Sequence, residues 1–200
     1  MIQSETPYPI QFGVDYPEAP LNRLTTFLRI IWIIPIGIVL SQVSGESFAA
    51  AGGTLMAAPL LMILFRQKYP RWWFDWNLAL SRFGNRVFAY LLLLRDEYPS
   101  TDEEQAVHLD FPYPDVVNDL NRWLPLVKWL LAIPHYIVLA VLWVLAIGAV
   151  LIAWLSILFT GNYPAGLFDY VVGVMRWSNR VGAYAFLLVT DRYPPFRIGT

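Results

Sequence analysis

The sequence predicts an all-α integral membrane protein built from two tandem repeats, and three observations carry that prediction. The first is composition: 57% of the residues are hydrophobic and 14% charged, whereas a soluble domain carries about 25% charged residues. The second is repetition. Tyr69, Pro70, Asp75, Arg82, Asn85, Arg86 and Tyr90 recur as Tyr163, Pro164, Asp169, Arg176, Asn179, Arg180 and Tyr184, each 94 positions later. The third is spacing. In each set the two arginines follow the aspartate by 7 and 11 positions, offsets that return to nearly one angle on a helix. Asp and both Arg therefore share one stripe, with Asn beside it and Tyr further round.

Taken in order, residues 1–20 carry Glu5, Asp15, Glu18 and four prolines. They have neither the basic start nor the apolar run of a cleavable signal, so this extramembrane segment is expected to be retained. Ile10, Phe12 and Val14 alternate with Gln11, Gly13 and Asp15 and end at Tyr16-Pro17. The pattern returns as Val107, Leu109 and Phe111, ended by Tyr113-Pro114. Both read as short extended segments outside the bilayer.

A strongly apolar helix opens each repeat. Arg23, Arg29 and Pro35 are followed by Arg122, Lys128 and Pro134, each 99 positions later. The expectation is that the cations lie near the headgroups and snorkel to phosphates, and that each proline kinks the helix inward. A charge at the bilayer centre costs roughly 2.5–3.5 kcal/mol on insertion scales, so the interfacial placement is cheaper. Residues 137–159 form an uninterrupted apolar run of 23, enough to span about 30 Å of hydrocarbon. In the first repeat Gln42, Gly45 and Glu46 interrupt before the apolar run resumes. That interruption is a hairpin turn or a polar insertion in one long kinked helix, and the unbroken second repeat favours the long helix. Small residues at 49–53, with Ala57 and Ala58, suit close helix contact in lipid.

The charged-stripe helices are expected at about residues 71–94 and 166–189. Either each spans the membrane with its stripe facing protein, or each lies in the interface with Arg82, Arg86, Arg176 and Arg180 reaching phosphates. Asp75 is too far from Arg82 for a one-turn pair, so a partner from the other repeat is expected. Asp75 and Asp169 otherwise favour the first turns of their helices through the macrodipole. The linker that follows residue 95 holds eight acids as far as Asp119 and no Lys or Arg, so it lies outside the bilayer. The division is 1–20, repeat 21–98, acidic linker 99–117, repeat 118–193 and tail 194–200. Arg66, Lys68 and Arg71 make the turn between the helices cytoplasmic by the positive-inside rule. With the extended segments and the C-terminal stretch on one side, each repeat crosses an even number of times, about an axis along the membrane normal.

These residues resemble an uncharacterised prokaryotic membrane domain found as tandem copies. The likeness rests on Arg-x5-Arg/Lys-x5-Pro at Arg23, Arg29 and Pro35 and at Arg122, Lys128 and Pro134. It continues in Leu-Phe-Thr-Gly-x-Tyr-Pro at residues 158–164, Arg-Trp-x2-Arg-Val-x-Ala-Tyr at 176–184, and Thr-Asp-x-Tyr-Pro-Pro-Phe at 190–196. The second repeat fits better, since the first has Arg82-Phe83 for Arg-Trp. The resemblance implies a duplicated multi-pass protein of a prokaryotic inner membrane and no assigned activity.

Chemical motifs are few. Cysteine is absent and the net charge is −1, which removes thiolate chemistry and offers no overall basic surface to nucleic acid. His108 reads as a solvated residue. His135, next to Pro134, lacks a second ligand at metal spacing. No nucleophile–base set, phosphate loop or cofactor motif is present. The expected function is a non-catalytic scaffold or accessory subunit, contacting lipid headgroups and a larger membrane complex or a second copy. The alternative is a small transporter or anionic-lipid-binding protein with a polar site between the repeats. The residues for either role are the two stripes with Arg23, Arg29, Arg122 and Lys128, and no cofactor or metal is called for.

Overall fold

The computed structural model describes residues 7–44 and 54–199. Gly45, Glu46 and the small residues at 49–53 lie outside them. The first repeat opens on Asn22, whose side chain accepts from the backbone N–H groups of Leu24 and Thr25, a standard way of satisfying the free donors of a helix start. It launches α1 (Arg23–Phe27), then α2 (Arg29–Ser44), α3 (Thr54–Arg66) and α4 (Arg71–Leu91). The second repeat follows the same order: Asn121 accepts from Trp123 N–H, and α5 (Lys128–Leu131), α6 (Ile133–Thr160) and α7 (Ala165–Gly182) follow. The five-residue difference between the two spacings falls between Pro35 and Tyr69. α2 lies along α4 as α6 lies along α7, and α3 meets the second repeat as the end of α6 meets α1. In packing, α2 and α3 together occupy the place of one long helix.

One of the two prolines differs from expectation. Pro134 sits in the first turn of α6, where a missing N–H leaves no bond unmade, so it starts that helix; Pro35 lies inside α2. The long helices end on left-handed residues at equivalent positions, Gln67 (φ 46°) and Gly161 (φ 79°). A Tyr-Pro pair then caps each stripe helix in extended conformation. Asp75 and Asp169 are fifth in their helices, beyond the first turn, so the expected macrodipole contact is not where they sit.

The protein is mostly helical, with seven α-helices among the described residues. It is not purely so: β1 (Gln11–Val14) and β2 (Val107–Asp110) pair antiparallel, Phe12 opposite Leu109. Their alternation follows from burial of one face, since Phe12, Val107 and Leu109 pack inward while Gln11, His108 and Asp110 face out. α6 is the one described helix long and apolar enough to cross a membrane, at mean hydropathy 2.8, and α2 and α3 are shorter apolar helices.

The repeats are joined crosswise. β2 and the residues after it, which precede the second repeat, lie on the first repeat's α4; β1, which precedes the first repeat, lies on the second repeat's α7. Tyr113 OH donates to Tyr69 O and Tyr16 OH donates to Tyr163 O. Phe74 meets Tyr113 and Phe168 meets Tyr16, edge to face at 5.1 and 5.0 Å. These reciprocal contacts are those of a two-fold axis passing between the strands and between α4 and α7.

Candidate functional site

The stripes converge on that axis. Asn85 and Asn179 exchange side-chain hydrogen bonds, 2.9 Å from Asn85 Nδ2 and 2.7 Å from Asn179 Nδ2. Each amide also donates to its own helix, at Ser81 O and Met175 O. Arg82 Nε donates to Leu109 O at 2.8 Å and Arg176 Nε donates to Phe12 O at 2.9 Å. Leu109 and Phe12 are opposite one another in the sheet, so the two guanidinium groups hold the two strands at the same rung.

The second arginine of each stripe holds the chain that follows its own repeat. Arg86 donates to Ser100 O at 3.0 Å, and Arg180 donates to Gly199 O at 3.0 Å. Both are buried. Guanidinium suits this work because its planar fork stays charged and reaches several carbonyls at once.

The aspartates of the stripes stand apart. Asp75 pairs with Arg71 one turn earlier at 3.3 Å, both exposed, and not with the other repeat. Asp169 is exposed and within electrostatic reach of Arg176. An open groove of about 540 Å³ lies there, lined by Gly13, Asp169, Tyr170, Arg176 and Ile198 among others.

Arg29 and Lys128 do not snorkel; their side chains are 2% and 0% exposed. Arg29 donates to Asp96 and to Arg95 O, over the face of Tyr90 at 4.0 Å. Lys128 lies 2.7 Å from Asp191 Oδ1, donates to Thr190 O at 2.7 Å, and faces Tyr184 at 5.2 Å. Burial lowers the Lys128 pKa, and Asp191 opposes that shift. The same carboxylates accept from the backbone N–H groups of Asn22 and Asn121. The physical reason is availability: a carboxylate and a carbonyl within hydrogen-bonding reach satisfy each cation inside the chain. Arg23 and Arg122 remain exposed, Arg122 Nε donating to Leu64 O.

Asp96 and Asp191 are therefore site residues that the sequence reading missed, having counted Asp96 with the solvated linker. Their signal was available: Asp-x-Tyr-Pro occurs at 96–99 and again at 191–194.

His108 pairs with Asp15 on the surface at 3.0 Å. His135 is fully buried, accepts from Trp177 Nε1 at Nδ1 (3.0 Å) and stacks on Phe196 at 4.0 Å. With Nδ1 accepting, the neutral ring carries its proton on Nε2 and has no lone pair left for a metal. No group of three or more metal-ligating side chains occurs among the described residues.

No curated protein and no solved structure matches the chain. A family model does, twice, at residues 23–101 and 123–197. These are the two units that the paired asparagine caps, the twin stripes and the Arg29–Asp96 and Lys128–Asp191 pairs delimit, and the chain belongs to the family described as a domain of unknown function (DUF4389), which it carries in tandem.

Proposed function

We propose that the protein is a non-catalytic membrane scaffold or accessory subunit, presenting an apolar surface to lipid and to partner helices. The observation that carries this reading is where the charged groups point. Arg82, Arg86, Arg176 and Arg180 engage backbone carbonyls of the strands and of the segments after each repeat. They brace the fold. What faces outward is apolar: Ile30, Ile137, Val144, Leu151 and Phe159 are each 60% or more exposed. A surface of this extent marks contact with a membrane or a partner.

The test is Arg176→Gln and Arg82→Gln in the full chain reconstituted into vesicles. A scaffold loses thermal stability and assembly with any partner while the vesicles stay tight to small solutes with either chain. A solute flux through wild type, abolished in a variant that keeps wild-type stability, overturns it. The groove beside Arg176 supports a second reading, an anionic-lipid site. Retention of anionic lipid that is lost on Gly166→Trp, which fills the groove from a glycine with open space beside it and takes no part in the arginines' hydrogen bonds, would favour that reading.

A further inference from the structure

We infer that the protein lies in one leaflet, with its long apolar helices along the membrane plane and its strands and acidic linker facing the water. The inference rests on the membrane reading above and specifies its geometry. The linker runs lengthwise along α4. Ser100 is held by Arg86, Asp110 by Arg82, and Tyr113 reaches Tyr69 and Arg71. From residue 86 to residue 71 this follows about 22 Å of helix at 1.5 Å per residue. The N-terminal segment does the same on α7: Tyr8 lies by Arg180, Phe12 by Arg176 and Tyr16 by Phe168.

The long helices run parallel to these segments. The two ends of α6 meet equivalent corners of the molecule. Leu21 N–H bonds Gly161 O at one, where Asn22 meets Asp96. Tyr193 OH bonds Leu131 O at the other, where Asn121 meets Asp191. The corners exchange under the two-fold, so that axis is perpendicular to the long helices. Standing α6 upright in a bilayer would carry the linker through the hydrocarbon with it. Asp102, Glu103 and Glu104 are exposed, and the Asp110 side chain is 72% exposed midway along. Even Asp110, which Arg82 pairs, stays largely open to solvent, and exposed irregular backbone is not tolerated at that depth.

With the helices in the plane, the two-fold stands along the membrane normal and the layers separate by polarity. α6 carries no Asp, Glu, Lys or Arg, α2 carries only the buried Arg29, and α3 only Arg66 at its end. Exposed cations gather at the ends of these helices: Arg23, Arg66, Lys68 and Arg122, beside exposed Trp72 and Trp123. The exposed linker acid Asp110 and Asp15 lie on the opposite, strand-bearing side, joined there to Arg82 and His108. This is the charge order of an in-plane element on an anionic leaflet, with aromatic rings and cations at headgroup level.

The test is immersion depth in vesicles of phosphatidylcholine and phosphatidylglycerol, using the cysteine-free full chain. Single cysteines at Ile137, Val144, Leu151 and Phe159 carry a spin label or a lipid-quenchable fluorophore. Cysteines at Asp102 and Gln11 report sidedness to an impermeant maleimide. The in-plane arrangement gives four equal, shallow depths and labelling of Asp102→Cys and Gln11→Cys from one side only. A profile in which Val144 and Leu151 are deepest, with Ile137 and Phe159 near opposite surfaces, overturns the inference and leaves the scaffold reading intact. Absence of lipid contact at all four positions overturns both.

Discussion

Asn85 and Asn179, 94 positions apart in the chain, meet side chain to side chain on the two-fold axis with each amide donating to the other. The pair is half-buried and closed on itself. Asn179→Leu leaves the Asn85 amide without its partner, which costs about 1–3 kcal/mol. Replacing both by Leu removes the orphan and is expected to recover much of that loss. A double-mutant cycle by chemical denaturation in detergent checks it; additive single effects would show that the two amides do not interact.

The buried cations set an order of severity. Arg29 and Lys128 are inaccessible, whereas the Asp96 and Asp191 side chains are 27% and 19% exposed. Removing the carboxylate strands a charge inside the protein, so Asp96→Ala and Asp191→Ala should each cost about 3 kcal/mol or more. Lys128→Met leaves a carboxylate that is partly exposed and still accepts from Asn121 N–H, at about 1–3 kcal/mol. Thermal unfolding of the three variants gives the ranking directly, and an equal or reversed order contradicts the account.

Gln67 and Gly161 end equivalent helices in the same left-handed conformation, one without and one with the residue suited to it. Gln67→Gly is expected to stabilise by about 1 kcal/mol through relief of backbone strain, less the entropy of the added glycine. Gly161→Ala should destabilise by about 1–2 kcal/mol, because its new Cβ also meets Pro20 Cβ at 3.2 Å. Melting temperatures that move in opposite directions support the assignment.

Tyr8, Tyr69 and Tyr163 are buried outside the long helices, and burial raises each phenol above its ordinary value. The folded pKa is the higher one. The stabilisation is therefore complete below the unfolded value of about 10 and is lost as pH rises through the folded values. Phenolate absorbance should lag in the folded chain and then appear together with loss of helical circular dichroism. Titration of these three rings near pH 10 with the fold intact would exclude the effect.

Much of the architecture was legible. The repeat, the starts of the stripe helices to within a residue, the strand alternation and the apolar run of α6 all follow from periodicity and composition. Asp96 was marked only by the repeated Asp-x-Tyr-Pro at 96–99 and 191–194; nothing local to it points to the buried Arg29 it meets 67 positions away. The stripe arginines were recognised as a set, but their partners are backbone carbonyls, which every residue possesses and no sequence distinguishes.

By itself, then, the sequence determined that two similar units exist, which faces of their helices are apolar, and which positions carry charge, since these depend on residue identity and on the 3.6-residue period alone. Only the tertiary structure decided that the strand before each repeat braces the other repeat, and that Arg29 and Lys128 turn inward. It also decided that the acidic linker runs beside the apolar helices. Those outcomes depend on which of several chemically equivalent carbonyls and carboxylates come within hydrogen-bonding reach once both units have packed around their common axis.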